Sequence, residues 1–272
     1  MERWTDQGIV LSARSHGEGG AVVALLTENN GRHAGYVHGA QSKSKRAMIE
    51  PGSQVKAEWS ARTVDSLGTL HLEPEGGLPA GVLDDSLKLG AMLSACSICD
   101  AALPEREGHA GLYHGLIQLM DSLEGDYWAV SYVMWEIALL KELGFRLELD
   151  KCAAKGDPDT LTHVSPKSGR AVSEVEAEPY KDKLLVLPLF LRPSPSHCRG
   201  PLPLPEGEGA EQCGAGEGER GDMYDVSLGL KMTGHFLEHW VFAHHTKGVP
   251  EARLMFQDRF ENVMFKAVEK RG

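Results

Sequence analysis

Long apolar runs are missing from this chain. No stretch approaches the roughly 18 apolar residues needed to span a bilayer, so a membrane protein is not expected. The opening residues, MERWTDQGIVLSAR, contain no apolar run of signal-peptide length. Cysteine is sparse: Cys96, Cys99, Cys152, Cys198 and Cys213 are five in number and irregularly spaced. An odd, unpatterned set does not make a disulfide framework and fits a reducing cytosol. Nucleotide and hydrolase fingerprints are absent too. Gly17-Glu-Gly-Gly20 lacks the Lys-Ser/Thr of a P-loop and is read as a hairpin turn. No Gly-x-Ser-x-Gly, kinase or dinucleotide pattern occurs, and the carboxylates are not grouped for acid/base work, so no constellation supports an enzyme. Net positive charge is also lacking. At −11 and a pI near 5.5, a protein coated in nucleic acid is excluded, and any such contact must be confined to a patch.

Such a patch is present. Residues 32–62 carry six Lys/Arg against two acids, a local balance of +4. The cations are Arg32, Lys43, Lys45, Arg46, Lys56 and Arg62. A basic island attracts phosphates by Coulomb force and counterion release, although scattered lysines on a solvated loop would look similar. Concentration in Gly39-Ala-Gln-Ser-Lys-Ser-Lys-Arg46, just after a strand, favours binding, with Ser42 and Ser44 as neutral phosphate donors. Arg14 and His38 join the six as candidate DNA contacts. Tyr36 is available for base stacking, whereas Trp59 falls on an apolar face and is expected in the core.

The surrounding pattern is strand-like. Trp4–Leu11, Ala21–Thr27, His33–His38, Val55–Arg62 and Gly68–Glu73 are the expected strands, with turns at Asn29-Asn30-Gly31 and Pro51-Gly52. Val55, Ala57, Trp59 and Ala61 alternate with mostly charged neighbours, placing apolar groups on one face. Five short strands with Gly turns fit a small closed barrel. Helical spacing then takes over. Asp84 is the expected N-cap of a helix running to Leu103; Leu112–Leu123 is a second helix; Tyr127–Leu143 is a buried one ended by Gly144. Residues 150–191 read as irregular. Residues 192–222, rich in Pro, Gly and Glu, read as a disordered loop. Asp225–His245 and Glu251–Val268 are the final helices, expected to complete one bundle with those before the loop.

Three further groups have ordinary readings. Cys96 and Cys99, at i and i+3 on a helix, are read as small apolar residues in an interface rather than a metal or redox pair. His235 and His239 have metal-compatible spacing, but the intervening Glu is misplaced for a zinc-protease motif, so a solvated flank is expected. Cys152 lacks paired ligands nearby.

Several segments resemble the bacterial DNA repair protein RecO family. They are Thr5-Asp-Gln-Gly-Ile-Val-Leu11, Glu18-Gly-Gly-Ala-Val-Val-Ala-Leu-Leu-Thr27, Gly31-Arg-His-Ala-Gly-Tyr-Val-His-Gly39 and Trp135-Glu-Ile-Ala-Leu-Leu-Lys-Glu-Leu-Gly-Phe145. Leu149-Asp-Lys-Cys152 and Val164-Ser-Pro-Lys-Ser-Gly-Arg-Ala-Val-Ser173 are similar to its α-proteobacterial members. The resemblance covers most of the chain apart from residues 192–222. It implies an α+β protein: an OB-fold at residues 1–80, a helical domain at 81–149 and 223–272, and a zinc-finger-like insertion at 150–191. Many relatives hold zinc there with four cysteines; only Cys152 stands here, so no metal and no cofactor are expected. The loop at 192–222 is a second departure and reads as an insertion without function. The resemblance further implies binding of single- and double-stranded DNA, strand annealing, and recombinase loading onto DNA coated by single-strand-binding protein, with RecR as partner. The implied location is the cytoplasm, at the nucleoid. The acidic, apolar-tipped tail of single-strand-binding protein needs an apolar pocket with basic groups. Residues 63–272 carry a balance of −13, so such groups must cluster, and Lys141 and Arg146 are the first candidates. The alternative is a protein–protein adaptor whose helical bundle is the main binding surface.

Overall fold

The computed structural model describes residues 2–63, 65–193 and 222–269. The first strand, β1 (Glu2–His16), is long enough to serve two neighbours. Its first half pairs with β4 (Gln54–Ala61) and its second half with β2 (Gly20–Thr27), with a bulge between Val10 and Ser12. A bulge at this point bends the strand so that it can pass between the two pairings. With β3 (Gly31–Val37) and β5 (Thr69–Gly76) the strands close into a barrel in the order β1-β2-β3-β5-β4. Val55, Ala57, Trp59 and Ala61 line its interior with Val10, Val23, Leu25, Val37, Leu70 and Leu72, as the alternation predicts. The Asn29-Asn30-Gly31 turn is held by Asp6, whose carboxylate accepts from both Asn backbone N–H groups and both side-chain amides. Burial opposes ionisation of Asp6, but these bonds outweigh it and hold its pKa below the ordinary value. One expectation changes in the β3–β4 connection. Lys43–Met48 is a short helix, α1, rather than a loop.

After the barrel come α2 (Ala80–Asp84), α3 (Ser86–Ala102), α4 (Ala110–Ser122) and α5 (Trp128–Glu142). The N-cap of α3 is Asp85, not Asp84: its carboxylate accepts from the N–H groups of Leu87 and Lys88 at 2.8 and 3.2 Å, while Asp84 closes α2. Gly144, at φ +88°, ends α5 in a Schellman turn, with Phe145 N–H donating to Leu140 O and Gly144 N–H to Lys141 O.

The segment expected to be irregular holds a four-stranded sheet of β6 (Glu148–Cys152), β7 (Leu161–Val164), β8 (Arg170–Ser173) and β9 (Leu185–Val186), in the order β6-β8-β7-β9. Strands this short give alternation too few repeats to register. A single turn, α6 (Glu174–Ala177), follows β8. The expected disordered loop lies almost entirely outside the described residues, as do Cys198 and Cys213. The final helices are α7 (Met223–Phe236), which runs into a π-helical turn at Leu237–Val241, and α8 (Glu251–Glu269).

Helices from both sides of residues 194–221 share one core. Cys96, Leu116, Tyr132, Leu230, Phe236 and Phe260 belong to a single buried cluster, which Ile9, Leu11, Ala24 and Leu26 of the barrel also join. Inside it Arg253 and Glu136, both fully buried, form a two-pronged ion pair, with Nε–Oε1 at 2.5 Å and an Nη–Oε2 bond at 3.1 Å. Tyr132 and Thr233 also donate to Glu136, which satisfies the carboxylate. A second joint lies in the α3–α4 connection. Arg106 N–H donates to Arg32 O at 2.8 Å, its guanidinium donates to Ser66 O at 3.0 Å, and it sits 6.0 Å from the Trp59 ring centre. A Cβ at Gly31, which holds φ +66°, would stand 1.8 Å from Glu107 O, so only glycine fits there.

Candidate nucleic-acid interface

Strand register builds the site. Arg14 of β1 pairs with Val22 of β2, and Val22 with Tyr36 of β3, so these side chains share the outer face of the barrel. His16 lies two residues beyond Arg14 on the same face, opposite Gly20. His38 follows the end of β3. The rings form a continuous row: His16 and Tyr36 are 6.1 Å apart at 81°, and Tyr36 and His38 are 4.7 Å apart at 83°. Gly20 makes room for it. A Cβ there would stand 1.9 Å from Tyr36 Oη and 2.2 Å from Cζ. Lys45 anchors α1 to this row by donating to His38 O at 2.8 Å. Lys43 and Arg46 project from the same helix, exposed, and make no ion pair among the described residues. Arg14 is exposed, with Asp100 at 3.7 Å.

The structure therefore brings together Arg14, His38, Lys43, Lys45 and Arg46. It adds His16, which the sequence reading missed; the signal was its two-residue spacing from Arg14, which fixes a common face. Two predicted contacts lie elsewhere. Arg32 is largely buried: Nε donates to Leu103 O at 2.7 Å, and the guanidinium stands 3.3 Å from both Asp100 and Glu105. It ties barrel to helices and is not presented to a phosphate. Lys56 pairs with Glu73 at 3.5 Å, beside the Arg3–Glu58 pair on β4 and β1. Arg62 is exposed in the β4–β5 connection, which reaches the row where Tyr36 N–H donates to Gly68 O at 3.0 Å. Trp59 is core, its indole N–H donating to Leu67 O.

The other groups have internal explanations. Cys96 and Cys99 are fully buried; burial pushes the Cys96 thiol up to about 12 and raises Cys99 as well, so neither presents a thiolate. Cys152 accepts from Ser173 N–H and donates to Ser173 Oγ at 3.5 Å. His235 and His239 stack with centres 4.1 Å apart, and His239 Nδ1 is 2.9 Å from the carbonyl of His235. Among the described residues no group of three or more His, Cys, Asp or Glu is placed to hold a metal. None of the described helices is long and apolar enough to cross a membrane. Lys141 and Arg146 are exposed on either side of the turn that ends α5. Between them in sequence lies Phe145, half-buried, whose ring centre is 5.9 Å from that of Trp240.

Two family models match this chain. Residues 1–74 match the family model described as recombination protein O N terminal, and residues 83–196 match recombination protein O C terminal. DNA repair protein RecO of Rhodospirillum centenum is 48% identical over 259 residues, covering 94% of each chain. The protein of the same name from Caulobacter vibrioides is 44% identical over 257 residues, covering 94% of this chain and 96% of the relative. That of Rhodospirillum rubrum is 40% identical over 265 residues, covering 95% of this chain and 96% of the relative. On both family models and on relatives matched nearly end to end, the chain belongs to the RecO family of DNA repair proteins.

Proposed function

We propose that this chain is a non-enzymatic mediator of DNA repair that grips single- and double-stranded DNA on its barrel. In this reading the barrel is an OB-fold, whose β2–β3 face and β1–β2 and β4–β5 connections are the usual nucleic-acid surface. The observation that carries it is the joining of Arg14, the ring row and α1 on one outer face of an acidic protein. Cations there neutralise phosphates and hold the backbone without reading sequence. Strand annealing, recombinase loading onto DNA coated by single-strand-binding protein, the RecR partnership and a place at the cytoplasmic nucleoid extend this reading by family membership. No metal or cofactor takes part in it.

The test is DNA binding by the full chain across a salt series. With Lys43, Lys45 and Arg46 all changed to Ala, affinity should fall for both strand states. The slope of log affinity against log salt should flatten by about one for each lost phosphate contact on duplex DNA. An unchanged slope would remove the patch from the interface.

A second reading, the protein–protein adaptor, is favoured by the half-buried Phe145, whose ring lies 5.9 Å from that of Trp240 and which exposed Lys141 and Arg146 flank in sequence. An apolar pair edged by two cations has the chemistry to receive an acidic, apolar-tipped tail such as that of single-strand-binding protein.

A further inference from the structure

We infer that the row His16–Tyr36–His38 is a stacking platform for unpaired bases, and that it gives this face a preference for single-stranded over duplex DNA. This rests on the reading of the barrel as the DNA interface and adds a division of labour within it. The rings run without a break from β1 to just past β3, at centre distances of 6.1 and 4.7 Å. Arg14 flanks the row on β1, and Lys43, Lys45 and Arg46 flank it on α1 beyond His38. Bases in a duplex offer only their edges in the grooves, because their faces are already stacked on one another. An aromatic row therefore gains nothing from duplex. A single strand offers free faces, which stack on aromatic rings whatever the base. Cations act on phosphates in either form. The rings thus contribute to one strand state and the cations to both. A base held by its face also keeps its pairing edge open to a complementary strand.

Gly20 supports the assignment. A Cβ at Gly20 would overlap the Tyr36 ring where it now lies, so the ring rests directly against the barrel wall rather than in the core. His16 and His38 are both exposed beside it.

The test measures anisotropy of a labelled oligothymidylate and of a duplex of matched length, using the full chain at several salt concentrations. Tyr36→Ala should weaken single-strand binding by about 5- to 150-fold, the equivalent of one lost stacked base, with duplex affinity and salt slope unchanged. Tyr36→Phe should bind as the parent does. The His16→Ala/His38→Ala double variant, altered only at exposed positions, should show the same single-strand loss even if Tyr36→Ala proves unstable. Equal loss for both strand states in the double variant, or no loss in either, would overturn the inference. If the Lys43/Lys45/Arg46 triple variant also binds both forms like the parent, the interface itself is misplaced. If the triple variant weakens both forms while the ring variants change nothing, only the stacking role fails.

Discussion

Replacing His33 with Phe should make the protein markedly more resistant to acid. His33 points into the barrel, 4% exposed, with its ring centre 5.0 Å from Trp4 and 4.6 Å from Trp59. Both ring nitrogens are buried and have no hydrogen-bond partner among the described residues. Burial first, and then the Arg106 charge, push its pKa from 6.5 to about 4, against an opposing pull from Glu105. The unfolded chain therefore takes up this proton before the native one does. Stability from His33 is complete above pH 6.5 and is lost as pH falls through the window from 6.5 to 4. At about pH 5 the loss is the 1.5-unit interval times 1.36 kcal/mol, or about 2 kcal/mol. Phenylalanine keeps the ring between the two tryptophans and cannot bind a proton. It also removes two unsatisfied polar atoms, so neutral-pH stability should hold or rise. Urea unfolding of both proteins between about pH 7.5 and pH 5 is the assay. Carboxylates such as Asp6 titrate in both and cancel in the difference. The gap in favour of the variant should widen by about 2 kcal/mol on acidification. Parallel pH profiles would show that His33 takes no part in acid sensitivity.

Two further outcomes follow from the helical half. Arg253→Met leaves Glu136 charged and unpaired in the core, which should cost about 3–5 kcal/mol by thermal melting, whereas adding Glu136→Leu should recover most of it; recovery that fails would mean the pair sets the helix arrangement itself. Reversing charge with Lys141→Glu and Arg146→Glu should abolish capture of an acidic, apolar-tipped peptide while leaving DNA affinity intact, and unchanged peptide binding would displace the adaptor site from this turn.

What the sequence made legible was local. The alternation at Val55–Ala61 and the glycine stop at Gly144 needed only neighbouring residues to read. The helix at Lys43–Met48 was missed because six residues fill fewer than two helical turns, too few for a period to show. Asp84 and Asp85 are adjacent cap candidates, and only the turn before them decides between them. The candidate site was half legible. Composition located its cations, but which stay free depends on distant contacts. Arg32 is claimed by Asp100, 68 positions away, and Glu136 is paired with Arg253 across 117 positions. No window of sequence carries that information. His16 needed the β1–β2–β3 register before its place beside Tyr36 could be seen.

The shared core has a consequence for dissecting this protein. Cutting the chain after the barrel would uncover Ile9, Leu11, Ala24 and Leu26, which the helices now bury. A sticky fragment would result. The same cut would strip Asp100 and Glu105 from Arg32, and Asp100 from Arg14. The Arg32 guanidinium, now held in check, would be left free in the field of any polyanion. On the proposed reading, an excised barrel would therefore hold DNA more tightly than the intact protein, by a contact that the intact protein does not offer.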